Sequence, residues 1–246
     1  MKCALAVLFL CLSLGGGSAV AAEVHLSVAA SMTDATRALI AGYEPSAAAV
    51  TILPNFGSSG ALARQIAQGA PADLFVSANP KWMDFLVTQQ LVPAAGVRTF
   101  AFNSLVLVGR KGAAIASLAD LVSLRRIAIG SPKSVPAGDY AAHALKAAGL
   151  YNQLAGKLVL AQDVRQALAY AERGEVDAAF VYQTDALLAK EAVILLEVPQ
   201  KLYDRVRYPV GLTEQGTRNP AAVAFYTYLQ TPAAAQILKK YGFAVQ

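Results

Sequence analysis

Ser58 and Ser59 stand between Gly57 and Gly60, at the point where chemistry is most concentrated in the chain. A short apolar run, Thr51-Ile52-Leu53, reaches them through Pro54-Asn55-Phe56. A helix-like segment follows at 61–68, with Leu62 and Ile66 four apart on one face and Arg64 and Gln68 on another. Hydroxyls and free backbone N–H groups at a helix start converge on one spot in front of it, and such a spot suits an anion. The competing role for either serine is to cap the helix. Ser31 repeats the arrangement, at the end of a strand in which Val24, Leu26 and Val28 alternate and before a helix carrying Met32, Ala35, Leu39 and Tyr43. There too a cap, with Asp34 completing the first turn, is the competing role.

Signals for catalysis are poor. Gly57-Ser58-Ser59-Gly60 does not match the Gly-x-Ser-x-Gly elbow of hydrolases. His25 falls inside a strand and His143 inside a helix, and neither has an orienting partner in a surrounding motif, so structural roles are expected for both. A secreted hydrolase joining Ser59 to His143 is the enzymatic alternative, with no base-orienting motif behind it. There is no Walker loop, no Gly-x-Gly-x-x-Gly and no His-Glu-x-x-His. Asp163, Asp177 and Asp185 do not follow the spacing of a calcium loop. No catalytic residue and no cofactor is expected.

The elements that must position these groups alternate between strand and helix. After the serine loop, Gly69-Ala70-Pro71 stops the helix, Asp73 to Ser77 reads as a buried strand, and Asn79-Pro80 starts a helix with Trp82, Phe85 and Leu86 on its core side. Residues 97–110 form one long extended stretch around Asn103-Ser104, suited to crossing between lobes, and 205–212 form a second, suited to the return. Between them come strands at 126–130, 158–161, 176–182 and 193–198. The Pro-rich loop 131–138 leads into a helix opening at Ala137, and further helices lie at 163–173 and 184–190. Two helices close the chain, near 221–229 and 233–241. The pattern is α/β in two lobes, with the first lobe from 23–103 plus 206–246 and the second from 104–205. Open parallel sheets bind ligands at the carboxyl ends of their strands. Five junctions are of that kind: Ser31 and Ser59 in the first lobe, Ala137, Val164 and Tyr182 in the second. For Tyr182 the competing role is a half-buried aromatic at a sheet edge.

Composition bounds the partners. The start, Met1-Lys2, then an apolar run at 4–14 and Ser18-Ala19-Val20-Ala21-Ala22, reads as a secretory signal peptide over 1–22, cleaved after Ala21 or Ala22. The run is too short to span a bilayer. Leu8-Phe9-Leu10 before Cys11 lacks the small residue that precedes a lipid-anchored cysteine, and Cys3 is too near the start. Both cysteines leave with the signal, so no disulfide and no cysteine-ligated metal is expected. Loss of Lys2 lowers the formal charge from +5 to +4. That charge is spread out, with no basic arm and no aromatic-basic interleaving, which makes nucleic acid a poor partner. Nothing points to an oligomer, and a monomer is expected.

Taken in order, several segments resemble the periplasmic molybdate-binding proteins of ABC importers. They are Ala29-Ala30-Ser31-Met32-Thr33, the run from Asn55 to Ile66, Gly69-Ala70-Pro71-Ala72-Asp73-Leu74-Phe75, Val135-Pro136-Ala137-Gly138, the stretch from Glu172 to Tyr182 and the ending Lys240-Tyr241-Gly242-Phe243. The likeness covers essentially the whole mature chain. It implies a type II periplasmic binding-protein fold, with two lobes and a ligand cleft between them, and capture of molybdate, with tungstate, for a membrane permease. By that likeness Ser31 and Ser59 donate through hydroxyl and backbone N–H, Ala137 and Val164 through backbone N–H, and Tyr182 through its phenol. All five meet the metal only through the oxygens of the oxyanion. A shell made only of donors matches an anion with no proton of its own, whereas phosphate would strand its proton against a donor. Sulfate offers the same acceptor pattern, so its rejection must rest on cavity size. Asp139, in the first turn after Ala137, departs from the family, which more often has a neutral or basic residue there. At about 8 Å from a dianion it would be repelled by ~1 kcal/mol in a water-like medium and by several at an effective dielectric near 20, so it is expected to point to solvent.

Overall fold

The computed structural model describes residues 22–43 and 50–245. The signal peptide expected over 1–22 therefore lies outside the described residues, apart from Ala22. The first lobe opens with β1 (Ala22–Ala29), a 3-10 turn at Ala30–Met32 and α1 (Thr33–Ala41). It continues through β2 (Val50–Gly57), α2 (Ser59–Ala67), β3 (Leu74–Val76), α3 (Pro80–Thr88) and β4 (Arg98–Asn103). The second lobe holds β5 (Leu105–Arg110), β6 (Ile127–Gly130), α4 (Pro136–Ala147), α5 (Tyr151–Leu154), β7 (Leu158–Ala161), α6 (Val164–Glu172), β8 (Ala178–Tyr182), α7 (Gln183–Ala186) and β9 (Ala192–Glu197). The chain then returns through β10 (Val206–Leu212), α8 (Pro220–Tyr228) and α9 (Pro232–Lys240).

The two sheets have the same plan. The first runs β2-β1-β3-β10-β4, with β1 parallel to both neighbours and β10 antiparallel to β3 and β4. The second runs β7-β6-β8-β5-β9, with β6 parallel to β7 and β8, and β5 antiparallel to β8 and β9. In each, three parallel strands point their carboxyl ends to one side, and helices start there. The antiparallel strands β10 and β5 are the ones that follow a crossing between lobes.

Local sequence explains the main features. The central strand β8 is buried throughout, so Ala178-Ala179-Phe180-Val181-Tyr182 reads as a continuous apolar run rather than an alternation. β2 is longer than its apolar run, because Pro54, Asn55 and Phe56 pair with Leu26, Ser27 and Val28 of β1. Pro54 is tolerated because β2 is an edge strand and needs no second ladder. The long extended stretch expected at 97–110 is two strands, broken at Ser104, one in each sheet. Asn79 caps α3 by accepting from the Trp82 N–H. The buried face of α3 is Met83 and Leu86; Trp82 and Phe85, expected in the core, are half-buried. Met83 and Leu86 join Leu62, Ile66 and Phe75 in a compact cluster on one side of the first sheet. Truncating Phe75, fully buried there, would cost ~3–5 kcal/mol.

Candidate functional site

The carboxyl ends of the parallel strands face one another across a small cavity with an empty volume of about 200 Å³. Its walls include all five residues placed at strand ends by the sequence: Ser31, Ser59, Ala137, Val164 and Tyr182. Ala30, Ser58, Ala78 and Pro136 complete most of the lining. Asp163 is the one charged residue in that wall, so attraction for an anion must come from neutral donors.

The donors are set by local structure. Ser59 is the first residue of α2, Ala137 the second of α4 and Val164 the first of α6. N–H groups at such positions have no carbonyl within their own helix and carry the positive end of its dipole. Ser31 lies in the single 3-10 turn that ends β1, where the same shortage of carbonyls applies. Asp163 caps α6 by accepting from the Gln166 N–H at 2.8 Å, which occupies one of its carboxylate oxygens. Gly138 lets α4 sit directly on the end of β6: a Cβ there would fall 1.7 Å from the Gly130 carbonyl oxygen. Any side chain would lift the helix start, and the Ala137 N–H with it, away from the cavity.

Neither Ser58 nor Ser59 caps α2 with its side chain. The Ser59 hydroxyl instead accepts from the Ala78 N–H at 3.0 Å, in the loop after β3. A hydroxyl has one hydrogen to give, and this contact leaves it free. Ser31 does not act as a cap either; its Oγ lies 2.9 Å from the Tyr208 hydroxyl. Tyr182 is 1 % exposed, and its phenol oxygen has no hydrogen-bond partner among the described residues. Burial, then the neighbouring Tyr208, pushes its titration well above the ordinary phenol range, so it keeps its proton as a donor.

Contacts between the lobes surround the cavity, and the cleft is closed. The Gly60 N–H donates to the Ser134 carbonyl at 2.9 Å. Arg165, beside Val164 on α6, reaches Asp34 on α1 at 2.8 Å and the Ser31 carbonyl at 3.4 Å. Its Nε lies 2.6 Å from the fully buried Asp185. Burial outweighs the attraction of Arg165 and raises the Asp185 carboxyl to about 7. At the crossings, Asn103 donates to Thr184 at 2.8 Å, and Ser104 to Gln183 at 2.7 Å.

Two expectations change. Asp139 does not simply point to solvent: its side chain is one-fifth exposed, 3.3 Å from Lys81 on α3 and 3.8 Å from His143. It ties the lobes at the rim and is not part of the cavity wall. The helix at 184–190 is the single turn α7, because Leu187, Leu188 and Ala189 close it with short-range bonds. The histidines take no part in the cavity. His143 is exposed on α4, and His25 is half-buried in β1 with its backbone N–H on Asp73. The pairing of Ser59 with His143 required by the hydrolase alternative is not assembled. Asp163, Asp177 and Asp185 do not form a metal-holding group among the described residues. Asp177 accepts from the backbone of Arg125 and Arg126, and no acidic or histidine cluster that could hold a metal occurs among the described residues. Arg165, Tyr208, Asn103 and Ala78 serve the site without a sequence signal of their own, since each acts through a partner remote in the chain.

The model of the family described as bacterial extracellular solute-binding protein matches residues 24–244. The molybdate-binding protein ModA of Escherichia coli (strain K12) is 40% identical over 240 residues, covering 94% of this chain and 93% of its own. Among solved structures, the substrate-binding domain of a putative molybdenum ABC transporter from Clostridium difficile is 31% identical with a TM-score of 0.69, over 91% of this chain and 99% of that one. The periplasmic molybdate-binding protein of Azotobacter vinelandii has a TM-score of 0.78 at 24% identity, over 91% of this chain and 100% of that one.

Proposed function

The chain belongs to the bacterial extracellular solute-binding proteins and, within them, to the molybdate-binding family, and from that premise we propose that it captures molybdate between its lobes and passes it to the membrane permease of an ABC importer. The observation that carries this reading is the convergence of five donor residues, from both lobes, on one cavity with no cation in its wall among the described residues. In the bound state Ser31 and Ser59 donate through hydroxyl and N–H, Ala137 and Val164 through N–H, and Tyr182 through its phenol. Charge-assisted bonds to fixed, dry donors hold a dianion without a lysine or arginine partner. Tungstate, with the same oxygens and charge, is held the same way.

The protein acts as a receptor, not as an enzyme, and needs no cofactor; molybdate is its cargo. It works in the periplasm as a monomer, exported by the signal at 1–22. Opening occurs about the two crossings, near Asn103 and Arg207. Calorimetry with molybdate, tungstate and sulfate tests the reading. Tight binding of the first two with far weaker sulfate binding is expected, and sulfate bound as tightly as molybdate defeats it.

A further inference from the structure

Ser31 and Tyr208 share a hydrogen bond in which either oxygen could be the donor. The surrounding groups decide which one is. The Asn103 side-chain oxygen accepts from the Ser104 N–H at 2.9 Å, so its amide nitrogen must face the other way. That nitrogen has two hydrogens and two neighbours, the Thr184 hydroxyl at 2.8 Å and the Tyr208 hydroxyl at 3.2 Å. Tyr208 is fully buried, and burial, with the nearby Asp185, raises its titration beyond the ordinary phenol range, so its proton stays. An amide nitrogen cannot accept that proton. The one remaining partner is Ser31 Oγ at 2.9 Å. If Ser31 donated to Tyr208, the phenol hydrogen would be buried with no acceptor among the described residues.

We propose that Tyr208 and Asn103 are positioning residues that fix the polarity of the Ser31 hydroxyl: with Tyr208 donating to its oxygen, its own hydrogen can go only to the cavity, and accepting a proton from a ligand there would leave that hydrogen without a partner. The relay runs Asn103 to Tyr208 to Ser31 to ligand, each step donating to the next. It begins at the end of β4, where Asn103 also bonds Thr184 of the other lobe, so the polarity of the site is set as the crossing takes its closed form. The relay selects against oxyanions that carry a proton. Ser59 is set in the same sense by the Ala78 N–H, so each serine can take a proton from the ligand only by stranding its own hydrogen.

This inference rests on the proposed molybdate site, and the test separates the two. Affinities for molybdate and for inorganic hydrogen phosphate are measured by calorimetry in the wild-type chain, in Tyr208→Phe and in Asn103→Asp. Asn103→Asp supplies a carboxylate that draws the phenol hydrogen away from Ser31 and leaves the phenol oxygen to accept the Ser31 hydrogen instead, so Ser31 can take a proton from the ligand, and the molybdate-to-phosphate affinity ratio is expected to narrow about tenfold. Tyr208→Phe offers the Ser31 hydrogen no such acceptor, and its ratio is expected to stay within about threefold of the wild type; a ratio narrowed as much as in Asn103→Asp overturns the relay. Adding Ser31→Ala to Asn103→Asp should remove the change in ratio, which a loss of packing would not do. An unchanged ratio in Asn103→Asp, or a proportional loss of both anions there, overturns the relay while the molybdate site stands. A wild-type chain that binds no molybdate overturns both.

Discussion

The two lobes have matching sheets but supply different kinds of donor. In the proposed binding mode the first adds side-chain hydroxyls, those of Ser31 and Ser59, to its backbone N–H groups, and each hydroxyl is held by a further group from its own lobe. The second would contribute backbone, Ala137 and Val164, and one phenol, Tyr182, which has no hydrogen-bond partner among the described residues. The difference teaches where residue identity matters. A hydroxyl exists only where the side chain carries one, as serine's does, whereas an N–H at a helix start is present with every side chain but proline's.

The largest effect should come from keeping the lobes apart. A Cβ on Gly60 would lie 2.6 Å from the Ser134 carbonyl of the opposite lobe and 2.5 Å from Trp82. Gly60→Val should hold the cleft open and lower molybdate affinity on the order of 100-fold or more, since only the closed population binds tightly. Trp82, the single tryptophan, is next to this contact, so its fluorescence response to ligand should vanish as well. Retained affinity would mean that the lobes need not meet at Gly60.

Tyr182→Phe removes the one side-chain donor of the second lobe. A hydrogen bond to a charged group contributes ~1.5–3 kcal/mol, so calorimetry should show a loss of roughly 10- to 150-fold. A loss below threefold would show that the phenol does not reach the ligand.

Asp185 gives the second lobe a dependence on pH that the first lobe's donors do not share. Its unfolded carboxyl loses a proton near 3.8, whereas the folded one keeps it to about 7. The folded state therefore holds the extra proton between those values, and the stability contributed by Asp185 falls as pH rises through that window. Asp185→Asn should flatten this part of the Tm-against-pH curve. A curve parallel to that of the wild type would show that the group does not titrate there.

Val164→Ala sharpens the contrast further. It deletes methyls that are 3 % exposed and should lower stability by ~1–2 kcal/mol, with affinity changed less than about threefold because the N–H remains. A tenfold loss would assign a role to the side chain. Smallest of all is Asp139→Asn, which breaks a partly exposed pair with Lys81. A change of about twofold or less in affinity is expected. A large gain would show the carboxylate facing the ligand.

Much of this was legible in the chain. Val24, Leu26 and Val28 mark β1, and the five strand-end residues mark the wall of the cavity, because strand-to-helix junctions leave donors unpaired wherever they occur. The crossing at Asn103-Ser104 was legible too, as an extended run with polar residues inside it. The roles of the serines were not. Ser58 and Ser59 at a helix start read first as caps, and only the position of the Ala78 N–H, in the loop after β3, shows the Ser59 hydroxyl turned elsewhere. Asp139 was expected to face solvent because a dianion would repel it; the sequence does not show that Lys81 arrives from the other lobe to hold it.

The chain by itself determined the alternation of strands and helices, the two crossings and the residues that stand at the strand ends. These follow from short-range periodicity and turn chemistry, which neighbours in sequence settle between them. Which way each donor points was decided only by the tertiary structure. The Ser31 hydroxyl depends on Tyr208, the cleft on Gly60 meeting Ser134, and Arg165 on Asp34 and Asp185. A hydrogen has one direction, and the groups that fix it come from segments that meet only when both lobes have folded and closed.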